Sequence, residues 1–214
     1  MNLVLMGPPG VGKGTQAAGL AARFQIQHIA TGNILRAAVH SGTALGKQVA
    51  GVVNAGRLVS DSLMIDLIRD YLTQDEARPG WLLDGFPRTV HQAEALRELL
   101  EELDQTIHAV VVLSVPEHVL VERLAGRLSC KACGATTSHD ALPEGADSPC
   151  PVCGRSALFV REDDQEATVR RRLEVYRLQT DPVVAVLERY YPVRQVSGLG
   201  APAEVAERLH GVLG

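Results

Sequence analysis

The chain has 214 residues, 46% of them hydrophobic and 21% charged, which fits one medium-sized globular domain with room for an insertion. Twenty-one Lys and Arg against 25 Asp and Glu give a net charge of −4, which argues against a protein that coats a polyanion such as DNA. No stretch approaches the roughly 18 to 20 apolar residues of a membrane span. The opening run Leu3–Met6 is too short, and lacks the basic flank, for a signal peptide, so a soluble cytoplasmic protein is expected.

In chain order, the apolar run Leu3–Met6, closed by Gly7, predicts a buried parallel strand. Ala17, Ala18, Leu20, Ala21 and Phe24 then keep helical spacing. Ile26–Ala30 reads as a short strand leading to Thr31-Gly32, a helix over Asn33–Val39 and another over Ala44–Asn54. Ser60-Asp61 marks a helix start before Leu63, Met64, Leu67, Ile68 and Tyr71. Trp81–Leu83 predicts a strand ending at Asp84-Gly85, followed by a helix over Val90–Leu103. Ile107–Val115 carries the strongest strand pattern, and Pro116 opens a helix to about Arg127. Between Leu128 and Phe159 the periodicity fails and no apolar face can be drawn. Helices return over Asp163–Gln179 and Pro182–Tyr191, and a strand, Val193–Val196, precedes a helix over Ala203–Leu213. Five strands alternating with helices predict an α/β fold: a five-stranded parallel sheet flanked by helices, with 128–159 inserted on it.

Between the first strand and helix lies Gly7-Pro8-Pro9-Gly10-Val11-Gly12-Lys13-Gly14-Thr15. It has the phosphate-loop spacing G-x-x-x-x-G-K, with Gly14 where Ser or Thr is usual and Thr15 one place later. Glycines let successive N–H groups turn toward phosphate oxygens, the helix N-terminus adds its dipole, and Lys13 supplies a charge for the β and γ phosphates. The strand–loop–helix context makes this a nucleoside triphosphate site. It does not by itself separate an ATPase, a GTPase and a kinase.

Several segments at strand ends add arginines: Thr31-Gly32 with Arg36, Gly56-Arg57-Leu58-Val59, Asp84 to Thr89 with Arg88 and Gln92, Arg123 with Arg127, and Arg161 with Arg172. Arg outnumbers Lys 18 to 3, so only arginines placed by a motif are informative. Open α/β sheets bind ligands at the carboxyl ends of their strands, so these segments should converge there. Guanidinium forks that bind two phosphate oxygens each suit a reaction that brings two polyanions together.

With these motifs the sequence resembles the adenylate kinases in their long form, which carries a zinc-bearing lid. The resemblance runs over nearly the whole chain. Its most specific pieces are Asp84-Gly85-Phe86-Pro87-Arg88-Thr89 and Arg161-Glu162-Asp163-Asp164 followed by Thr168-Val169-Arg170-Arg171-Arg172-Leu173. The resemblance implies the reaction ATP + AMP ⇌ 2 ADP with Mg2+, a role in adenine nucleotide balance and biosynthesis, and a cytoplasmic monomer. It implies that Gly10, Val11, Gly12, Lys13, Gly14 and Thr15 cradle ATP phosphates, that Arg123 lies against the adenine, and that Arg127 reaches the phosphates. Thr136 and Thr137 match the lid dipeptide near ATP, and Gly200 a late backbone contact to its base. On the AMP side it implies Thr31, Arg36, Arg57, Leu58, Val59, Gly85, Phe86, Pro87, Arg88 and Gln92, with Arg161 and Arg172 bridging both substrates. Asp84 matches the carboxylate that organises Mg2+ waters, and Asp163 and Asp164 match lid-hinge carboxylates. The implied organisation is a core of 1–29, 60–125 and 164–214, a monophosphate-binding part at 30–59, and a lid at 126–163.

Three positions depart from the family pattern: Asn33 where Asp is frequent, Thr137 where Tyr is frequent, and Gly200 where Lys is common. The seven histidines, at 28, 40, 91, 108, 118, 139 and 210, are scattered and read as structural or surface groups.

Cys130, Cys133, Cys150 and Cys153 form C-x2-C-x16-C-x2-C, the spacing of a tetrahedral four-thiolate zinc site. With every ligand position filled by protein, the site is structural rather than catalytic. The insertion has few apolar residues, so metal binding is expected to supply its folding energy. Two other readings fit parts of the sequence. A zinc-ribbon, nucleic-acid-dependent ATPase is opposed by the charge. In a UMP or CMP kinase, Asn would be expected where Thr89 stands, and Thr89 with Thr31 and Gln92 favours AMP.

Overall fold

The computed structural model describes residues 1–214. In chain order the elements are β1 (Asn2–Met6), α1 (Lys13–Phe24), β2 (Gln27–Ala30), α2 (Thr31–His40), α3 (Ala44–Asn54) and α4 (Asp61–Leu72). Next come β3 (Trp81–Asp84), α5 (Val90–Glu102), β4 (Ala109–Ser114), α6 (Glu117–Ala125), β5 (Arg127–Cys130), β6 (Thr136–Ser138) and β7 (Leu158–Phe159). The chain closes with α7 (Glu166–Val175), α8 (Asp181–Leu187), β8 (Val193–Ser197) and α9 (Pro202–Leu213).

Five parallel strands form the main sheet in the order β2-β3-β1-β4-β8. Successive side chains of a strand point to opposite faces, and helices cover both faces here, so the strands read as unbroken apolar runs. Val4 and Met6 of β1 join the cluster that holds Ile68 of α4 and Leu96 of α5, while Leu3 and Leu5 join the one that holds Leu20 of α1 and Leu209 of α9. Trp81, fully buried, satisfies its indole by donating from Nε1 to Gln105 Oε1 at 2.7 Å. No helix is long and apolar enough to cross a membrane.

The chain runs from β1 out to β2 on one side and later from β3 across to β4 on the other, so the strand order reverses at β1. An open α/β sheet offers a crevice outside the carboxyl ends of its strands at such a reversal. Here that point is the turn after Met6, where the phosphate loop lies.

Residues 127–159, which show no periodicity in sequence, form a second sheet of order β6-β5-β7, antiparallel throughout. Strands of four, three and two residues are too short to display a period. The helix expected as one piece over Asp163–Gln179 is divided. A 3₁₀ turn at Glu162–Asp164 precedes α7, and a π-helical turn, Tyr176–Thr180, joins α7 to α8. Val169 and Leu173 pack with the α1 side of the sheet, whereas Val183 and Leu187 pack with the α5 side.

Candidate active site and metal centre

In the phosphate loop the glycines have separate reasons. A Cβ at Gly7 would lie 2.5 Å from the carbonyl oxygen of Leu113, so the packing of β4 already excludes a side chain there. Gly12, the N-cap of α1, has φ +105 and open space where a Cβ would point. Glycine takes that conformation without strain. With no side-chain cap on α1, its first N–H groups stay free for an anion. Lys13 folds back on the loop, its Nζ donating to the carbonyls of Gly7 at 2.6 Å and Pro8 at 3.0 Å. Burial pushes its pKa down to about 8, Arg88, Arg172 and Arg127 push the same way, and Asp84 opposes them.

A cavity of about 140 Å3 opens beside the loop. Most of the residues expected on the monophosphate side line it: Thr31, Arg36, Arg57–Val59, Gly85–Arg88 and Gln92, together with Lys13, Asp163 and Arg172. Leu35, Val53, Met64 and Phe86 form an apolar wall. Thr31 donates its hydroxyl to the Gly85 carbonyl at 3.0 Å, which ties the start of α2 to the end of β3. Asn33 keeps a partner despite its missing charge, because its Oδ1 accepts from Arg36 Nη2 at 2.7 Å.

Arg88 is fixed on three sides. Its backbone N–H donates to Gln92 Oε1 at 2.7 Å, its carbonyl accepts from the Thr180 hydroxyl at 3.0 Å, and its Nε donates to the Gly85 carbonyl at 2.7 Å. The side chain is half-buried, and desolvation pushes its pKa below the ordinary value.

The second group of arginines surrounds two carboxylates. Arg127 donates to both oxygens of Asp164, from Nε at 2.7 Å and from Nη2, and Arg172 Nη1 reaches Asp164 Oδ1 at 2.9 Å. Arg161 makes the same fork on Asp163, from Nε at 2.8 Å and from Nη2. Six cations (Lys13, Arg36, Arg88, Arg127, Arg161 and Arg172) thus share their neighbourhood with three carboxylates, Asp84, Asp163 and Asp164. Burial, then Arg161, pushes Arg36 down to about 9, and burial, then Arg127 and Arg161, pushes Arg172 down to about 10. A guanidinium does not give up its proton in a protein, so six cations facing three carboxylates leave an excess of positive charge that anions would relieve. Burial works to raise Asp84, yet His28, Lys13 and Arg88 outweigh it and hold the carboxyl below its ordinary value.

Other expected residues lie outside this cavity. Arg123 donates to the carbonyls of Val11 at 3.2 Å and Gly198 at 3.0 Å, and so links the phosphate loop to the turn after β8. Gly198, which sequence reasoning did not single out, approaches Val11, whereas Gly200 faces Glu204 and Arg208. Thr136 is exposed and Thr137 half-buried on β6, paired with Ser129 and Leu128.

The structure also brings in residues that the motifs did not announce. His28, read from sequence as structural or surface, has Nε2 3.5 Å from Asp84 Oδ2. Asp61, read as part of a helix start, accepts from Thr89 Oγ1 at 3.0 Å and from Gln92 Nε2 at 2.7 Å. Thr89 itself caps α5 by accepting from the Gln92 N–H at 3.1 Å. Its hydroxyl is thus engaged by Asp61 on one side and by the first turn of α5 on the other. The signals were too short to see: one Asp and one His among ordinary polar residues.

The end of the 30–59 segment meets α7. Arg171 Nη1 is 3.5 Å from the Ala55 carbonyl, and a Cβ on Gly56 would lie 2.8 Å from Thr168 Cγ2.

The four cysteine sulfurs lie within 4.8 Å of one another. Cys130 Sγ to Cys153 Sγ and Cys133 Sγ to Cys150 Sγ are both 3.7 Å. Four ligands about 2.3 Å from one metal have tetrahedral edges of about 3.8 Å, so the site has the size of a thiolate zinc centre. The two C-x-x-C turns are built alike: Gly134 N–H donates to the Cys130 carbonyl at 2.9 Å and Gly154 N–H to the Cys150 carbonyl at 2.8 Å. Backbone N–H groups of Cys153 and Val152 hold the Cys150 thiol down, at about 7, whereas at Cys133 a backbone hydrogen bond is outweighed by desolvation and the neighbouring sulfurs, which push the thiol up to about 12.

A phosphate loop at the sheet's reversal, opening on a cavity beside surplus guanidinium groups, defines a P-loop phosphotransferase. The adenylate kinase family model matches residues 5–192. The chain is 48% identical to an adenylate kinase of Caldicellulosiruptor bescii over 184 residues, which covers 86% of this chain and 85% of that protein. It is 42% identical to the adenylate kinase of Syntrophobacter fumaroxidans over 214 residues, the full length of both. The adenylate kinase of Clostridium perfringens strain SM101 is also 42% identical, over all of this chain and 99% of its own. The chain belongs to the adenylate kinase family.

Proposed function

We infer that this enzyme transfers the γ-phosphoryl group of ATP reversibly to AMP, giving two ADP. The cation excess around the cavity beside the phosphate loop carries this reading. Two nucleotides that meet phosphate to phosphate bring several negative charges, and the site lacks that many. Phosphoryl transfer needs positioning and charge neutralisation more than acid–base chemistry.

In this reading, Gly10 to Thr15 hold the ATP phosphates on the N-terminus of α1, and Lys13 leaves its loop carbonyls for a phosphate oxygen. Arg123 supports the adenine side, with Thr136, Thr137 and Gly200 contributing when the lid, 126–163, lies over ATP. Thr31, Arg36, Arg57, Leu58, Val59, Gly85, Phe86, Pro87, Arg88 and Gln92 hold AMP, whose base rests on the apolar wall. Arg127, Arg161 and Arg172 exchange part of their pairing with Asp163 and Asp164 for phosphate oxygens. Asp84, buried and held ionised next to Lys13, suits a carboxylate that binds the waters of Mg2+ carried by ATP. Mg2+ supplies neutralisation of charge on the phosphate oxygens. Cys130, Cys133, Cys150 and Cys153 would hold Zn2+ as a folding clamp for β5, β6 and β7. Closure of the lid and of 30–59 over the core would exclude water from the γ-phosphoryl group.

We place the enzyme in the cytoplasm as a monomer with no nucleic-acid partner; the net charge of −4 supports the last point. The test is a coupled assay of ADP formation from ATP with AMP, UMP, CMP or GMP, with and without DNA. ADP formation with AMP is expected. Turnover confined to a pyrimidine monophosphate, or hydrolysis stimulated by DNA, would overturn the reading.

A further inference from the structure

Between α7 and α8 the helix takes one π-helical turn, Tyr176–Thr180. Such turns cost hydrogen-bond geometry and occur frequently at functional sites. This one has two visible consequences. It joins a helix that packs on one side of the sheet to a helix that packs on the other. It also leaves Thr180 buried in the wall of the monophosphate cavity, with Tyr176 at the other end of the turn in the same wall.

The Thr180 hydroxyl donates to the Arg88 carbonyl at 3.0 Å, across 92 residues of chain. Gln92 meets the other end of the same residue by accepting from its N–H at 2.7 Å, and Asp61 in turn holds Gln92. Arg88 lies three residues after Gly85, whose φ of +85 is a turn conformation that glycine adopts without strain. The guanidinium has one hydrogen bond to protein, from Nε to the Gly85 carbonyl at 2.7 Å, which leaves its outer edge for a ligand. Its aim therefore depends on how firmly the Arg88 backbone is held.

We propose that Thr180, presented by the π-helical turn, is a positioning residue for the reaction: it clamps the Arg88 carbonyl and so aims the guanidinium at the AMP phosphate. Thr180 touches no reacting atom in this arrangement. The proposal rests on the AMP kinase reading above. A lost hydrogen bond of this type corresponds to about a three- to ten-fold effect, and it falls on AMP rather than on ATP.

The experiment compares the whole enzyme with Thr180→Val, which keeps the shape and loses the hydroxyl, and Thr180→Ser, which keeps the hydroxyl. Thr180→Val should lower kcat/KM for AMP about three- to ten-fold with KM for ATP unchanged, and Thr180→Ser should recover most of that loss. Thr180→Ala carries the same expectation if the valine variant folds poorly. Equal losses for ATP and AMP, no loss, or a serine variant as impaired as valine would each overturn the proposal. Should the unsubstituted enzyme fail to phosphorylate AMP, the functional reading fails instead, so the two are distinguishable.

Discussion

Asp164 is the sharpest place to test how the arginine cluster is held. Its side chain is fully buried, and it accepts from Arg127 through both oxygens and from Arg172 at 2.9 Å. Asp164→Asn changes the charge and not the shape, so no cavity term enters. Arg172 would keep Asp163, whose backbone carbonyl it reaches at 2.9 Å and whose Oδ2 lies 3.1 Å away. Arg127 would lose the carboxylate on which its fork closes. Breaking one side of a buried pair costs about 3 to 5 kcal/mol, and because Arg127 is 16% exposed and can swing toward water, the low end applies. At about 2 to 4 °C per kcal/mol for a chain of this size, the melting temperature should fall by about 6 to 12 °C. Differential scanning calorimetry of the ligand-free enzyme measures this. A mixture of ATP and AMP should restore much of the loss, because phosphate oxygens replace the missing charge. A drop below about 2 °C, or one that nucleotides leave unchanged, would refute the idea that Asp164 stands in for a phosphate.

Three further outcomes follow from the site. Arg88→Ala should cut turnover by orders of magnitude while circular dichroism and the melting profile stay close to those of the parent, since Arg88 makes no carboxylate pair within the fold. With Lys13 pushed down to about 8, the ammonium is lost as pH rises through that value, so kcat/KM for ATP should decline above about pH 8. The kcat profile should stay flat there, because bound phosphates hold the proton on Lys13. Removal of metal by a chelator should unfold the β5, β6 and β7 segment, seen as a lower melting temperature and new protease cleavage within 127–159. An unchanged melting temperature would argue against a structural zinc centre.

Much of this protein is written locally. The apolar runs at Leu3–Met6, Trp81–Leu83 and Val110–Leu113 predict buried parallel strands because only a sheet covered on both faces has a use for them. The phosphate loop is legible because glycine spacing and a following helix sit in one unbroken stretch, Gly7 to Phe24. The cysteine pairs are legible because a tetrahedral metal fixes their spacing within two turns. The short sheet of 127–159 was not, since strands of two to four residues show no period. Nor was the π-helical turn, which is set by the need of one helix to pack on two sides of a sheet. Asp61, His28, Gly198 and Thr180 gain their hydrogen-bond or ion-pair partners from residues 28 to 92 positions away in the chain. Sequence alone determined the succession of core strands and helices along the chain, the phosphate loop and the ligand set for a metal. Only the tertiary structure decided which arginines face an unfilled demand for negative charge, because charge balance is a property of neighbours in space.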